Sequence, residues 1–149
     1  MTDRFHVSEL VFAMISVAGA TAACADHGDA ATAEVLSEYY TLVADTIRSA
    51  SGRVVKVIGD GVLAAFPASR AHEAVAVLRS VQTDGTELWQ RFDHRCHIQV
   101  KAGIGPVMTG PFGPSGEERD DIYGDALNRL FKMKSDVFVL SPELSALLL

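Results

Sequence analysis

Residues 52–67, GRVVKVIGDGVLAAFP, constrain the fold more than any other stretch. Two apolar runs rich in β-branched residues flank Gly-Asp-Gly. Asp-Gly between such runs predicts a β-hairpin turning at Asp60-Gly61, because both central residues of the tightest hairpin turns take positive φ. A hairpin alone cannot bury its apolar face, so the rest of the chain must cover it. Residues 9–15, ELVFAMI, read as a buried central strand, followed by a loop of small residues. Residues from about 29 to 49 read as a helix, with Val35, Leu36, Tyr39, Leu42, Val43 and Ile47 at helical spacing. Residues 70–90 form a second helix, with Ala74, Val77, Leu78, Val81 and Leu88 along one side. CHIQVKAGIGPVMTG predicts a strand ending in a glycine-rich turn, and DDIYGDALNRLFKM a turn into a short helix. DVFVLS is a last strand and PELSALLL a terminal helix fragment. The order β-α-β-β-α-β, then α-β, predicts an α+β fold with an antiparallel sheet and helices on one face.

The 149 residues amount to one domain, and 48% of them are hydrophobic, enough for a proper core. A net charge of −6 with no basic run argues against nucleic acid as the partner. It does not exclude a phosphate ligand, because local geometry can outweigh net charge. Cys24 and Cys96 have no metal-ligand spacing and form no framework, which suits two small buried residues in a reducing, cytoplasmic setting. His94 and His97 flank Cys96, but alternation along a strand sends them to different faces, so no metal cluster is expected there. His6, His27 and His72 have no identifiable partners in the sequence. The uncharged run after Glu9 imitates a signal peptide. Its front end, however, carries Asp3 and Glu9 beside a single Arg4, and it falls short of the about 20 apolar residues that span a bilayer. No membrane segment is expected.

The hairpin, with LVFAMIS before it and DDIYGDALN after it, resembles the nucleotide cyclase homology domain, the catalytic domain of class III adenylate and guanylate cyclases. The likeness runs from about residue 10 to residue 141. LVFAMIS looks like the family's first strand, which reads F-A-D-I, and DDIYGDALN is similar to its D-I-x-G-x-x-x-N segment. The resemblance implies a ferredoxin-like βαββαβ core with an extra strand and helix, a nucleotide cyclase-like α+β sandwich. It covers 1–149 as a single domain lacking the family's last C-terminal hairpin. It also implies a head-to-tail homodimer, or a heterodimer with another cyclase domain.

The family's reaction drives the ribose 3′-oxygen of a nucleoside triphosphate onto its own α-phosphate, usually with two Mg²⁺ held by two aspartates. The resemblance makes Asp60 one metal ligand and the Ile15 backbone carbonyl another, for Mg²⁺ or Mn²⁺ if any metal binds. Met14 stands where the second aspartate belongs, and a thioether is a poor ligand for a hard cation. Lys56 and Asp121 look like the base-reading pair, of the type that favours ATP over GTP. Asn128 matches the asparagine that orients the ribose. Lys132 takes the place of a transition-state arginine, keeping the charge without the planar fork. The stretch AGIGPVMTG lacks the family's His-x-Gly and is about two residues short. The expectation is a domain of cyclic nucleotide signalling with little or no turnover alone, dimerising or binding nucleotide. The alternatives are one half of a heterodimeric cyclase and a plain interaction domain. By residue type alone, Asp60 reads equally as a turn residue, Lys56 as an exposed strand lysine, Asp121 beside Asp120 as a solvated pair or helix cap, and Asn128 with Lys132 as a polar helix face.

Overall fold

The computed structural model describes residues 4–149; residues 1–3, Asp3 among them, lie outside the described residues. In chain order the elements are β1 (His6–Ala18), α1 (Ala20–His27), α2 (Asp29–Arg48), β2 (Arg53–Ile58), β3 (Gly61–Pro67), α3 (Ala71–Phe92), β4 (His97–Phe112), β5 (Arg119–Tyr123), α4 (Asp125–Lys132), β6 (Phe138–Leu140) and α5 (Pro142–Leu147). The sheet order is β2-β3-β1-β4-β5, with β6 on β4. Its core β2-β3-β1-β4 is the antiparallel arrangement of a ferredoxin-like βαββαβ unit; only β6 lies parallel to its neighbour.

Period-2 alternation in β1 sorts its side chains between two layers. Val11, Ala13, Ile15 and Val17 join Tyr39, Val43 and Ile47 of α2 and Leu78, Val81 and Trp89 of α3 in the main core. Phe12 faces the other way, into a smaller cluster with Leu63, Val107, Ile122 and, from α4, Leu127 and Leu130. Helices therefore cover both faces, not one. The sheet needs this second cover because β1, as its central strand, is apolar on both sides.

Three more expectations are corrected. The small-residue segment after β1 is helix α1, not a loop. Alanines favour helix, and Ala20 and Ala23 are buried against the main core. Gly19 makes the sharp exit from the strand at φ 88°, where a Cβ would sit 2.8 Å from the Arg95 carbonyl oxygen. The glycine-rich stretch at 103–110 is strand, because β1 pairs with β4 without a break from His6–Thr109 to Ala18–His97. Gly103 and Gly105 make room there for Phe12 and Ala126. Asp121 lies on strand β5 rather than in a turn.

The hairpin itself is shifted by one residue. Ile58 pairs with Gly61, so the loop is Gly59-Asp60. Gly59 has φ 59° and Asp60 a negative φ, the pattern of a type II′ turn, in which only the first central residue needs glycine.

Candidate functional site

A β-bulge decides where Lys56 points. Val54 pairs with Ala64 and Lys56 with Leu63, so Val55 is the extra residue. Without it, Lys56 would face α2 and α3; with it, Lys56 shares the Leu63 face, under α4. There its Nζ lies 2.9 Å from Asp121 Oδ2, and a second ion pair, Arg53 to Asp120 at 3.2 Å, runs alongside. β2 and β5 end the strand path on opposite sides, so the sheet coils far enough to bring its own edges together. Lys56 and Asp121 are thus assembled within one chain.

Asn128 and Lys132 sit on α4, one turn apart. Asn128 Nδ2 reaches the Tyr123 hydroxyl at 3.4 Å, and Lys132 is exposed. The C-terminal end of this helix is fixed from the sheet: Lys101 Nζ donates to the carbonyls of Phe131 (2.9 Å) and Met133 (3.0 Å). Burial holds the Lys101 ammonium below its ordinary pKa.

Asp60 lies at the far end of the hairpin. Its Oδ2 accepts from the Val17 N–H at 2.8 Å, continuing the β1–β3 ladder one step past Gly61 with a side chain in place of a backbone carbonyl. The turn is held from below by α2. The Tyr39 hydroxyl donates to the Asp60 carbonyl at 2.9 Å, and the Tyr40 hydroxyl donates to the Gly59 carbonyl. Burial first, then the nearby Asp60 charge, raises both phenol pKa values, keeping the hydroxyls protonated as donors. Sequence reasoning placed Tyr39 in the core and missed the role of Tyr40; the only signal was a second tyrosine just beside the apolar stripe.

Ile15 faces the same turn. Val100 N–H donates to the Val137 carbonyl, away from β1, so the Val100–Ile15 pair exchanges no hydrogen bonds. The Ile15 backbone groups therefore point to β3 and the Asp60 side. Met14 does not join them. Its half-buried side chain packs against the smaller apolar cluster, opposite Leu63 across the β1–β3 pair, and its terminal methyl lies where it would be 2.9 Å from a Cβ on Gly61. With Lys56, Ile58, Gly61, Leu63 and Phe131 it lines an apolar cavity of about 210 Å³. Asp60 instead opens onto a separate cavity of about 170 Å³, bounded by Thr21, Cys24, Thr32, Leu36 and Trp89. A two-ion centre asks for two bridging carboxylates. One carboxylate, one carbonyl and a half-buried thioether do not fit it, and among the described residues no group of three His, Cys, Asp or Glu could hold a metal.

The sequence model of the Adenylate and Guanylate cyclase catalytic domain matches residues 4–138. The chain belongs to this family. No curated protein matches this cyclase domain. Among solved structures it is similar to the adenylyl cyclase CyaB from P. aeruginosa, at 18% identity and a TM-score of 0.87, over 97% of this chain and 82% of that one. It is similar to the catalytic core of a rhodopsin-guanylyl cyclase with converted specificity, in complex with ATPalphaS, at 16% identity and a TM-score of 0.84, over 99% and 85%. It is also similar to a class III adenylyl cyclase-like ATP-binding protein from Pseudomonas aeruginosa, at 17% identity and a TM-score of 0.79, over 95% of this chain and 35% of that one. No described helix of the cyclase domain is long and apolar enough to cross a membrane.

Proposed function

We propose that this cyclase domain is catalytically impaired and acts as a nucleotide-binding, dimerising module in cytoplasmic cyclic nucleotide signalling. Met14 carries the reading. By the resemblance it stands where the second metal-bearing aspartate would be; it packs half-buried against an apolar cluster, and a thioether gives a pair of hard cations no carboxylate to share. Asp60 with the Ile15 carbonyl would hold a single Mg²⁺ or Mn²⁺. Lys56 and Asp121 support the binding half. A donor and an acceptor 2.9 Å apart match the ring nitrogen and amino group of adenine, which favours ATP over GTP. Asn128 would orient the ribose, and Lys132 would supply charge without a bidentate fork. One relative of the same fold is described as an ATP-binding, adenylyl cyclase-like protein. The intact Lys56–Asp121 pair favours a second reading as well: this chain supplies the base-reading half of a heterodimeric cyclase whose partner brings both aspartates.

The test is cyclic nucleotide formation from ATP and GTP with Mn²⁺, by wild type and Met14→Asp, beside calorimetric binding of both nucleotides. The expected result is a silent or near-silent wild type that binds ATP. Robust turnover by wild type alone overturns the impairment, and no binding of either nucleotide overturns the module. A rise in activity on adding a cyclase domain that carries both aspartates would favour the heterodimer.

A further inference from the structure

Asp60 has two peptide units at its Cα, and each is held by its own tyrosine. The Gly59 carbonyl belongs to the unit before Asp60 and accepts from Tyr40; the Asp60 carbonyl belongs to the unit after it and accepts from Tyr39. Adjacent helix residues diverge by about 100°. Tyr39 therefore rises through the core, fully buried against Trp89 at 5.8 Å, while Tyr40 comes up along the rim of α2. Beyond Ile58–Gly61 the β2–β3 ladder offers these carbonyls no strand partner, so the tyrosines supply their bonds. With both flanking peptide planes fixed, φ and ψ of Asp60 are fixed, and so is the direction of its Cα–Cβ bond. Only the side-chain torsions remain, and the Val17 N–H takes Oδ2 at 2.8 Å.

We propose that Tyr39 and Tyr40 are positioning residues: a pair of hydroxyl donors on one helix that aims the Asp60 carboxylate at the end of β1. The aim has two consequences. Val17 N–H keeps its acceptor, and Asp60 stays on the side of β1 to which the Ile15 carbonyl points. The second consequence, for a cation, rests on the reading of Asp60 given under Proposed function; the first does not.

Tyr40→Phe removes one donor and keeps the ring. Amide hydrogen exchange by NMR reads the first consequence. Val17 exchange is expected to rise about three- to tenfold, the range for losing one net hydrogen bond. The Val100 amide, bonded to Val137 on the far side of β4, should stay put. Mn²⁺ titration followed by electron paramagnetic resonance reads the second, with a three- to tenfold weaker affinity expected in Tyr40→Phe and loss of binding in Asp60→Asn. Tyr39→Phe should act in the same direction, and because Tyr39 is buried, Tyr40→Phe is the variant that decides. Unchanged Val17 exchange in Tyr40→Phe overturns the proposal. Equal acceleration at Val17 and Val100 does so too, because it marks general loosening. Wild type that binds no Mn²⁺, or binds it equally well as Asp60→Asn, overturns the cation reading and leaves the Val17 result to decide the positioning.

Discussion

Met14 sets its thioether, half-buried, against the smaller apolar cluster. That cluster joins the sheet to α4 through Leu63, the β3 partner of Met14, and Leu127 and Leu130. Aspartate there gives up apolar contact with the cluster but sets a carboxylate opposite Lys101 across the β1–β4 pair, so Met14→Asp is expected to lower stability by about 1–2 kcal/mol. Urea unfolding with and without Mn²⁺ checks it; partial recovery with Mn²⁺ would mean that the new carboxylate and Asp60 share an ion. A second residue-scale effect lies away from this site. Asp93 is buried, accepts from the Arg95 backbone and guanidinium, and meets His27 at 3.2 Å. The Arg95 contacts hold its carboxyl well below the usual carboxylate range. A depressed folded pKa gives stability that is full above the unfolded value near 4 and fades as pH falls below it. The melting temperature should therefore drop steeply from pH 4 to pH 2, and Asp93→Asn should flatten that slope while lowering the plateau at pH 6. The sequence names Lys56, Asp60 and Asp121 because motif spacing marks them. It is silent on Asp93 and Tyr40: no motif marks the local Asp93–Arg95 contact, and His27 and Gly59 reach these residues only through the fold.

At the scale of elements, periodicity found both long helices and the hairpin, because each carries an unbroken apolar stripe or run. It failed where tertiary pairing overrides local signals. Gly103 and Gly105 suggest a turn, yet they lie within a strand that β1 pairs along its whole length. Their role is clearance: a Cβ on Gly105 would sit 2.9 Å from the Ala126 Cβ of α4. Gly59 is the opposite case, with open space around it and a positive φ. Gly59→Ala should thus cost about 1–2 kcal/mol from backbone conformation alone. Gly105→Ala should cost about 1–3 kcal/mol from overpacking, and should also displace α4 from the sheet. Chemical denaturation gives both numbers. The chemical shift of the Asn128 side-chain amide distinguishes them, moving in Gly105→Ala and holding in Gly59→Ala.

Across the whole molecule, the sheet presents its α4 face with an apolar rim. Ile58 is 68% exposed and Phe131 42% exposed, and both line the cavity that holds Met14 and Lys56. Large apolar side chains clustered at a cavity mouth mark a surface that gains from being covered. A second copy packed on this face, in the dimer proposed above, would cover it. Neither residue was legible as a surface feature in the sequence, since Ile58 there reads as one more strand hydrophobe; the Val55 bulge turns its side chain to the α4 face, where it is left largely exposed. Ile58→Lys changes an exposed side chain at a hairpin end, so monomer stability should move by no more than about 0.5 kcal/mol. If this face is the dimer contact, the same substitution should weaken self-association at least about tenfold, the equivalent of about 1.4 kcal/mol. Sedimentation velocity across a concentration series separates the outcomes. A wild-type dimer that Ile58→Lys converts to monomer places the contact on this face. A dimer that survives the change puts the contact elsewhere. A wild type that stays monomeric at every concentration removes dimerisation from the proposed role and leaves nucleotide binding to stand alone.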